Sequence, residues 1–508
     1  MKRALPFILC FVAGSLSALA MAPYNAWYIL FVTLGIFYAC LARANAGKQA
    51  FGLSWLFGFG YFLFGLSWIG NALLVEGNPY KWAYPLAVAG LPFALAFFYG
   101  FAGWLTRRFF DLKTVGGYFA FAAVFALTDW VRGHIFTGFP WNLFGYSWVD
   151  ILPVVQITAL GSVYLLTWLT ILWASVGGFV FLQPRGALQK AALPGALIAI
   201  FAAVFAYGQM RINSYVQPAS RDIQVKLVQP NIAQHEKWNP AKMPENFFKQ
   251  LRLSYPEGYS EKVTYIVWPE TALSYVYTKD ETSMNLIKQM LASYESGAYL
   301  FTGLLRLTED GAYANSFVMI DKDGQITNIY DKHHLVPFGE YIPLQKFIPL
   351  APIVEFSGFI KGNGTQSYTT PEGIRYSPLV CYEAIFPEQV AKSGDERPDF
   401  LLNATNDAWY GQSAGPYQHL TQTRFRAVEE GLPLIRVANT GISAVISPTG
   451  AVIKKTTLFE EVFQTEPLPA KRAGNPPNSL IKNIFFFAIL CASLAYTLFA
   501  RVRINTKD

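Results

Sequence analysis

Three residues far apart in the chain each follow a short strand-like run: Glu270 after "YIVWP", Lys332 after "NIYD" and Cys381 after "PLV". Strand ends are where active-site groups collect in layered α/β folds. A carboxylate, an ammonium and a thiol gathered there can perform acyl transfer. A free thiol ionises near pH ~8.5, so only a few per cent is thiolate at neutral pH and a base is needed. Glu270 can take that proton, while Lys332 favours the thiolate and the oxyanion that follows attack. If Cys381 lies on a sharp strand-to-helix turn, the Tyr382 N–H can complete an oxyanion hole. Each residue also has a plain structural role: Glu270 as a cap for "PETALS", Lys332 as a surface lysine, Cys381 as core. His333 and His334 follow Lys332, and His419 lies further on, so a Cys–His pair stays open as the alternative.

The elements that must position these groups lie between residues 210 and 481. Runs rich in β-formers occur at 223–231, 264–270, 298–307, 314–321, 325–332, 376–383, 399–407 and 434–453. "DKDG" at 321–324 and "SPTG" at 447–450 read as hairpin turns. Helix-like stretches at 281–295 and 413–430 alternate with the strands, which predicts layered α/β packing around a covered sheet. Cys381 has no possible disulfide partner in this domain, because Cys10, Cys40 and Cys491 all lie in strongly apolar runs.

The rest of the chain has a different composition. Of 508 residues, 53% are hydrophobic and only 14% are charged, against about 25% charged in soluble domains. Blocks near 4–22, 26–43, 51–73, 84–106, 117–132, 160–183, 190–208 and 484–500 approach the length of about 20 apolar residues needed to span a bilayer. With the N-terminus inside, inner segments carry Lys2, Arg3, Arg43, Lys48, Arg107, Arg108, Lys113, Arg185, Lys190, Arg501, Arg503 and Lys507. Short outer loops carry only Lys81 and Arg132. Twelve against two is a positive-inside bias that predicts cytoplasmic termini. Seven crossings then place 210–481 on the outer side, and the eighth, within 482–508, returns the chain. The first block also resembles a secretory signal but is long enough to be retained as a span. The net charge of +7 follows these topogenic links and does not predict a nucleic-acid partner. Asp129 and Arg132 are expected to pair at the interface. The aromatic loop 136–148 is expected to sit at the membrane surface or to wall an acyl-chain entry. The apolar segment 344–362 is expected to dip into the membrane or cover the site.

"VWPE" with Glu270, "YDKHHLVPFGEYIP" with Lys332 and Glu340, and "CYEAIFPE" with Cys381 resemble the three signatures of the nitrilase or carbon-nitrogen hydrolase superfamily. With the hydrophobic blocks, "VQPNIAQHEKW" and "NATNDAWYG", the chain resembles the membrane-bound apolipoprotein N-acyltransferase family within it. That resemblance implies eight transmembrane helices, with 1–209 as a seven-helix membrane domain and 210–481 as a periplasmic αββα sandwich. It implies Glu270 as general base, Lys332 as oxyanion stabiliser and Cys381 as the nucleophile that becomes a thioester. Glu340, Glu383 and Tyr382 then support the site, Trp238 contacts substrate, and the histidines revert to structural roles. The implied reaction is ping-pong in the bacterial inner membrane. Cys381 takes an acyl chain from a phospholipid, and the α-amine of a diacylglyceryl-cysteine apolipoprotein receives it. Neither a metal nor another cofactor is expected, since a phospholipid ester is already activated relative to an amide. A site tethered at both ends meets both lipid-anchored substrates in the bilayer plane, which raises their effective concentration.

Overall fold

The computed structural model describes residues 3–184, 187–215, 222–342 and 358–505. It divides into two compact units. One comprises Met1–Gly70, Trp82–Ser214 and Pro476–Asp508; the other comprises Asn71–Lys81 and Tyr215–Asn475.

The first unit is helical. Among the described residues, four helices are long and apolar enough to cross a membrane: Lys81–Phe109, Thr158–Phe181, Ala191–Asn213 and Ser479–Thr497. Gly47–Gly65 and Ser67–Leu74 make a fifth if this pair, bent by 54°, is one span. Leu5–Ala20 and Trp27–Ala42 are apolar but shorter. The fifth expected block is the helix Val115–His134, whose Asp129 and Arg132 are buried. The expected pair forms, and it is enclosed within the helical unit. Arg132 binds Asp129 at 2.9 Å with both side chains fully enclosed, and its Nη1 donates to the carbonyls of Phe139 and Trp141 at 2.7 and 2.8 Å. A buried guanidinium needs all these acceptors, and in meeting them it ties the aromatic loop to the helix. Trp141, Phe144, Tyr146 and Trp148 of that loop are consequently buried, while Phe136 stays exposed. Most of the segment 344–362 falls outside the described residues.

The second unit holds two sheets. The first contains β1 (Ile223–Gln229), β2 (Val263–Val267), β3 (Leu273–Ser274), β4 (Ala298–Leu307), β5 (Tyr313–Ile320) and β6 (Ile326–Asp331), closed by β13 (Val462–Pro467). Its order is β13-β1-β2-β4-β5-β6, with β3 beside β4. The second runs β12-β11-β10-β9-β8-β7, from β7 (Tyr368–Thr369), β8 (Arg375–Val380), β9 (Phe400–Thr405) and β10 (Leu434–Ala438) to β11 (Ala444–Ile446) and β12 (Val452–Lys455). The expected turns are present: Gly324 and Gly450 adopt φ of +75° and +81°.

The central strands are apolar on both faces because both faces are covered, while β6, β7, β12 and β13 are half-buried or exposed along most of their length. Val225, Leu227, Tyr265, Phe301 and Phe317 of the first sheet pack against Val380, Phe400, Leu402, Ile435 and Val437 of the second. Outside the first sheet, Ile266, Leu300 and Val318 meet Leu251, Ile287 and Met290 of the helices Met243–Ser254 and Glu281–Ala292. Outside the second, Leu401 and Leu434 meet Leu420 and Ala427 of the helix Gly415–Glu430. The layers therefore stack helix, sheet, sheet, helix.

Topology brings the chemical groups together. β1, β2 and β4 are parallel, and two antiparallel steps through β5 turn β6 back to the direction of β4. β8, β9 and β10 are parallel as well. Strands sharing a direction end at one rim, so the residues after β2 and β6 collect at one edge of their sheet, as do those after β8 and β9 in theirs. Gly303 in β4 lets the loop after β2 come close: a Cβ there would lie 2.3 Å from the Thr271 nitrogen and 2.7 Å from the Glu270 carbonyl carbon. Those are backbone atoms that cannot swing aside. Gly303→Ala is expected to cost about 1–3 kcal/mol of stability, measurable as a lowered thermal midpoint in detergent, and to slow any reaction that needs Glu270.

Candidate active site

Glu270 leaves β2 through Pro269 and sits in a loop whose next residue, Thr271, has φ +47°. Lys237 holds this strained loop: its Nζ donates to the Glu270 carbonyl at 2.8 Å and to Thr271 Oγ1 at 2.6 Å. Lys237 also lies 5.6 Å from the Trp238 ring centre. Trp238 lines a recess beside Glu270 with Lys237, Ile232, Phe247 and Tyr277. Burial pulls the Lys237 pKa down to about 8, against the pull of Glu270 and Cys381.

The Glu270 carboxylate is fully engaged. Oε1 accepts from Lys332 Nζ at 3.2 Å and Asn315 Nδ2 at 2.8 Å, and Oε2 accepts from the Asn406 N–H at 2.9 Å. Lys332 continues the β6 ladder, its N–H meeting the Asn315 carbonyl at 2.9 Å. Its ammonium is 1% exposed and also donates to Glu340 Oε1 at 2.9 Å. Glu340 is fixed in turn by Asn315 Nδ2 at 3.0 Å and the Val336 N–H at 2.8 Å. Burial opposes the charges on Glu270 and Lys332, and the attraction of their neighbours outweighs it. The Glu270 carboxyl is held below its ordinary range by Lys332 and Lys237, and Glu270 and Glu340 hold the Lys332 ammonium above its own. At neutral pH the base is ionised and the lysine charged.

Cys381 directly follows β8 and opens the 3-10 turn Cys381–Ile385, with φ +50°. Few non-glycine residues enter this left-handed region, and those that do are often at functional turns. Burial, then Glu270, pushes the thiol up to about 12, against the opposing charge of Lys332. The resting sulfur is therefore a thiol, and any nucleophilic use of it needs a base to remove its proton.

Two residues on, Glu383 ties the turn down. Its Oε2 accepts from the Val380 N–H at 2.7 Å. Its Oε1 accepts from the Tyr330 hydroxyl and the His333 N–H at 2.8 Å, and from the His334 N–H at 3.2 Å. Burial raises the Glu383 pKa less than His333 and these donors lower it, so the carboxyl stays below its ordinary value. The histidine alternative can now be placed. His333 Nδ1 lies 2.8 Å from Glu383, and the His334 ring stacks on Phe386 at 3.5 Å. His419 reaches the Cys381 carbonyl oxygen. Of these groups it is Lys332 that pairs with the carboxylate base.

Residues 13–176 match the apolipoprotein N-acyltransferase N-terminal domain family, and residues 224–472 match the carbon-nitrogen hydrolase family. The chain is similar to the apolipoprotein N-acyltransferase of Rhodopseudomonas palustris, at 35% identity over 96% of this chain and 95% of that one. A similar protein of that name from Allorhizobium ampelinum is 38% identical over 89% of this chain and 88% of its own. The chain belongs to the apolipoprotein N-acyltransferase family. It is an enzyme, an acyltransferase by class, and its second unit has the carbon-nitrogen hydrolase fold.

The sequence reading named Glu270, Lys332, Glu340, Cys381, Tyr382, Glu383 and Trp238, and passed over Lys237, Asn315 and Asn406. Asn315 carried a signal: it is a polar residue inside the apolar run "YANSFVMI", and such residues are buried only with partners. Lys237 and the Asn406 N–H gave none, because their partners are backbone atoms or lie far off in sequence.

Two measurements test this geometry. Alkylation of Cys381 by iodoacetamide, followed on its peptide by mass spectrometry, should rise about tenfold per pH unit from pH ~7 to ~10 without levelling; a plateau below pH ~9 would contradict a thiol raised to about 12. Glu383→Gln keeps shape but puts a donor among donors, and should cost about 1–3 kcal/mol at pH ~7. Because the native pKa lies below the unfolded one, this stabilisation is present above pH ~4.3 and lost as pH falls through the native value. The wild-type advantage in thermal midpoint should shrink accordingly in acid.

Proposed function

We propose that the chain transfers an acyl chain from a membrane phospholipid to the free α-amine of the N-terminal diacylglyceryl-cysteine of apolipoproteins. The observation that carries this reading is the buried Glu270–Lys332–Glu340 cluster beside a protonated thiol on a left-handed turn, in a chain that also holds long apolar helices. In the first half-reaction Cys381 Sγ attacks the ester carbonyl as Glu270 takes its proton. The oxyanion meets the Lys332 ammonium and the Tyr382 N–H. Collapse breaks the ester C–O bond, Glu270 returns the proton to the leaving oxygen, and a lysophospholipid departs. In the second, the α-amine attacks the thioester, Glu270 accepts the amine proton and passes it to the departing thiolate, and an amide forms. An α-amine has a pKa near ~7.7 to 8.0, so an ionised base is useful here. Glu340 and Glu383 hold the machinery, and Trp238 lines the substrate's approach beside Glu270.

The same reading places the protein in the bacterial inner membrane with eight crossings, both termini cytoplasmic and the 210–481 unit periplasmic. Its support is the asymmetry of Lys and Arg among the links, together with eight apolar helical segments that correspond to the eight blocks. Three of these, Leu5–Ala20, Trp27–Ala42 and Val115–His134, fall outside the group long and apolar enough to span by themselves.

Intact mass spectrometry of the solubilised protein mixed with phospholipid tests the assignment. An acyl-sized adduct should appear on the Cys381 peptide, be discharged by a diacylglyceryl-cysteine peptide, and be lost in Cys381→Ser. An adduct on another residue, or discharge by water as fast as by the amine, would sink it.

A further inference from the structure

The Cys381 carbonyl faces a buried polar array that the acyl transfer described above does not use. It accepts from His419 Nε2 at 3.1 Å and, more weakly, from Asn403 Nδ2 at 3.5 Å. A carbonyl can only accept, so Nε2 is the nitrogen that carries a proton there in either ionisation state of the ring. His419 Nδ1 lies 3.0 Å from Asp407 Oδ1 and 3.1 Å from Arg436 Nη2. Arg436 in turn donates to Asp407 Oδ2 at 2.7 Å and to Asn403 Oδ1 at 2.5 Å. The side chains of His419, Asp407 and Arg436 are fully enclosed. A Cβ on Gly441 would lie 2.4 Å from Asp407 Oδ2, so the array is also packed shut. Its charges are balanced: Arg436 and His419 hold the Asp407 carboxyl down to about 2 against its burial.

So much buried polarity aimed at one carbonyl has a consequence across the peptide. The Cys381–Tyr382 bond is trans, as Ala22–Pro23 is the cis bond found, and in a trans peptide C=O and N–H point opposite ways. Fixing the carbonyl toward His419 directs the Tyr382 N–H to the far side of the turn. A strong donor on the carbonyl also polarises the amide and strengthens its N–H as a donor. We propose that His419, backed by Asp407 and Arg436, is a positioning residue that orients and polarises the Cys381–Tyr382 peptide for the oxyanion formed when Cys381 is acylated. This rests on the acyl-enzyme reading given above.

Two reactions at the same sulfur separate this role from simple support. Attack on 4-nitrophenyl palmitate passes through an oxyanion and releases nitrophenolate in a burst; displacement of iodide from iodoacetamide forms no oxyanion. In the full-length solubilised protein, His419→Leu should slow the burst on the order of 10- to 100-fold while alkylation of Cys381 stays within about twofold. His419→Gln, whose amide Nε2 can donate to the same carbonyl, should recover most of the burst rate. His419→Asn, which can meet Arg436 but stops short of the carbonyl, should not, and it makes the comparison if the leucine variant fails to fold. An unchanged burst in His419→Leu, a parallel fall of burst and alkylation, or glutamine no better than asparagine would each overturn the proposal. A wild-type chain that gives no acyl adduct on Cys381 would instead overturn the acyl-enzyme reading, and this inference with it.

Discussion

The site depends on a lysine ammonium buried between two carboxylates. Lys332 is almost completely enclosed, and an isolated charge there would be neutralised or would unfold its surroundings. Glu270 and Glu340 keep it charged, and it keeps them from repelling each other in a space that excludes water. Asn315 bridges the two carboxylates with one amide group, so the three charges form a rigid unit. Breaking such a set by removing one partner typically costs about 3–5 kcal/mol. For the acyl transfer proposed here, it provides an ionised carboxylate to act as base and a fixed cation to meet developing negative charge, with no reorganisation needed at the moment of reaction.

Buried carboxylates also join the two sheets. Glu270 follows β2 in the first sheet and accepts the N–H of Asn406, which follows β9 in the second. Glu383 follows β8 in the second and accepts from Tyr330 of β6 and the backbone after it. Apolar contacts between the sheets supply most of the adhesion but little direction, since dispersion and burial are insensitive to a small slide. Buried charge-assisted hydrogen bonds are directional. They therefore set the register between base and thiol, and the apolar core supplies the energy that keeps them buried.

The sequence made the strands legible because two-sided apolar runs bounded by turn signals have few other uses, and seven of the eight runs contain a single strand while the last, 434–453, divides into β10, β11 and β12. It missed the two-residue strands β3 and β7 and also β13, whose residues are half-buried up to the exposed Pro467 and carry no alternation to read. The catalytic candidates were legible because each ends a strand, and the rim at which they meet follows from strand direction. The supporting residues were harder to see. Asn406 reaches Glu270 across 136 positions through its backbone N–H, an atom every residue except proline possesses. Asn403 and Arg436 did leave a trace: Arg436 is the one polar residue inside "LIRVA", and Asn403 lies with Thr405 in the otherwise apolar "FLLNAT". The helical unit was legible as hydrophobicity but less so as spans, because a block's length says nothing of a 54° bend within it or of an ion pair enclosed by neighbouring helices.

The protonation state of Cys381 connects these features to the compartment proposed for this unit. Thiolates, not thiols, are the species that oxidise and exchange. A nucleophile activated in advance by a lowered pKa would be exposed to that chemistry throughout its idle time in an oxidising space. Here burial and the neighbouring carboxylate push the thiol up to about 12, so the resting sulfur is inert, and 6% exposure limits access to it. In the reaction proposed above, reactivity arises only when a carbonyl is bound, the proton passes to Glu270, and the developing oxyanion meets Lys332. On the proposed reading, assigning the activating charge to a separate base, rather than to a standing thiolate, lets Cys381 persist in an oxidising compartment, where cysteines usually survive as disulfides.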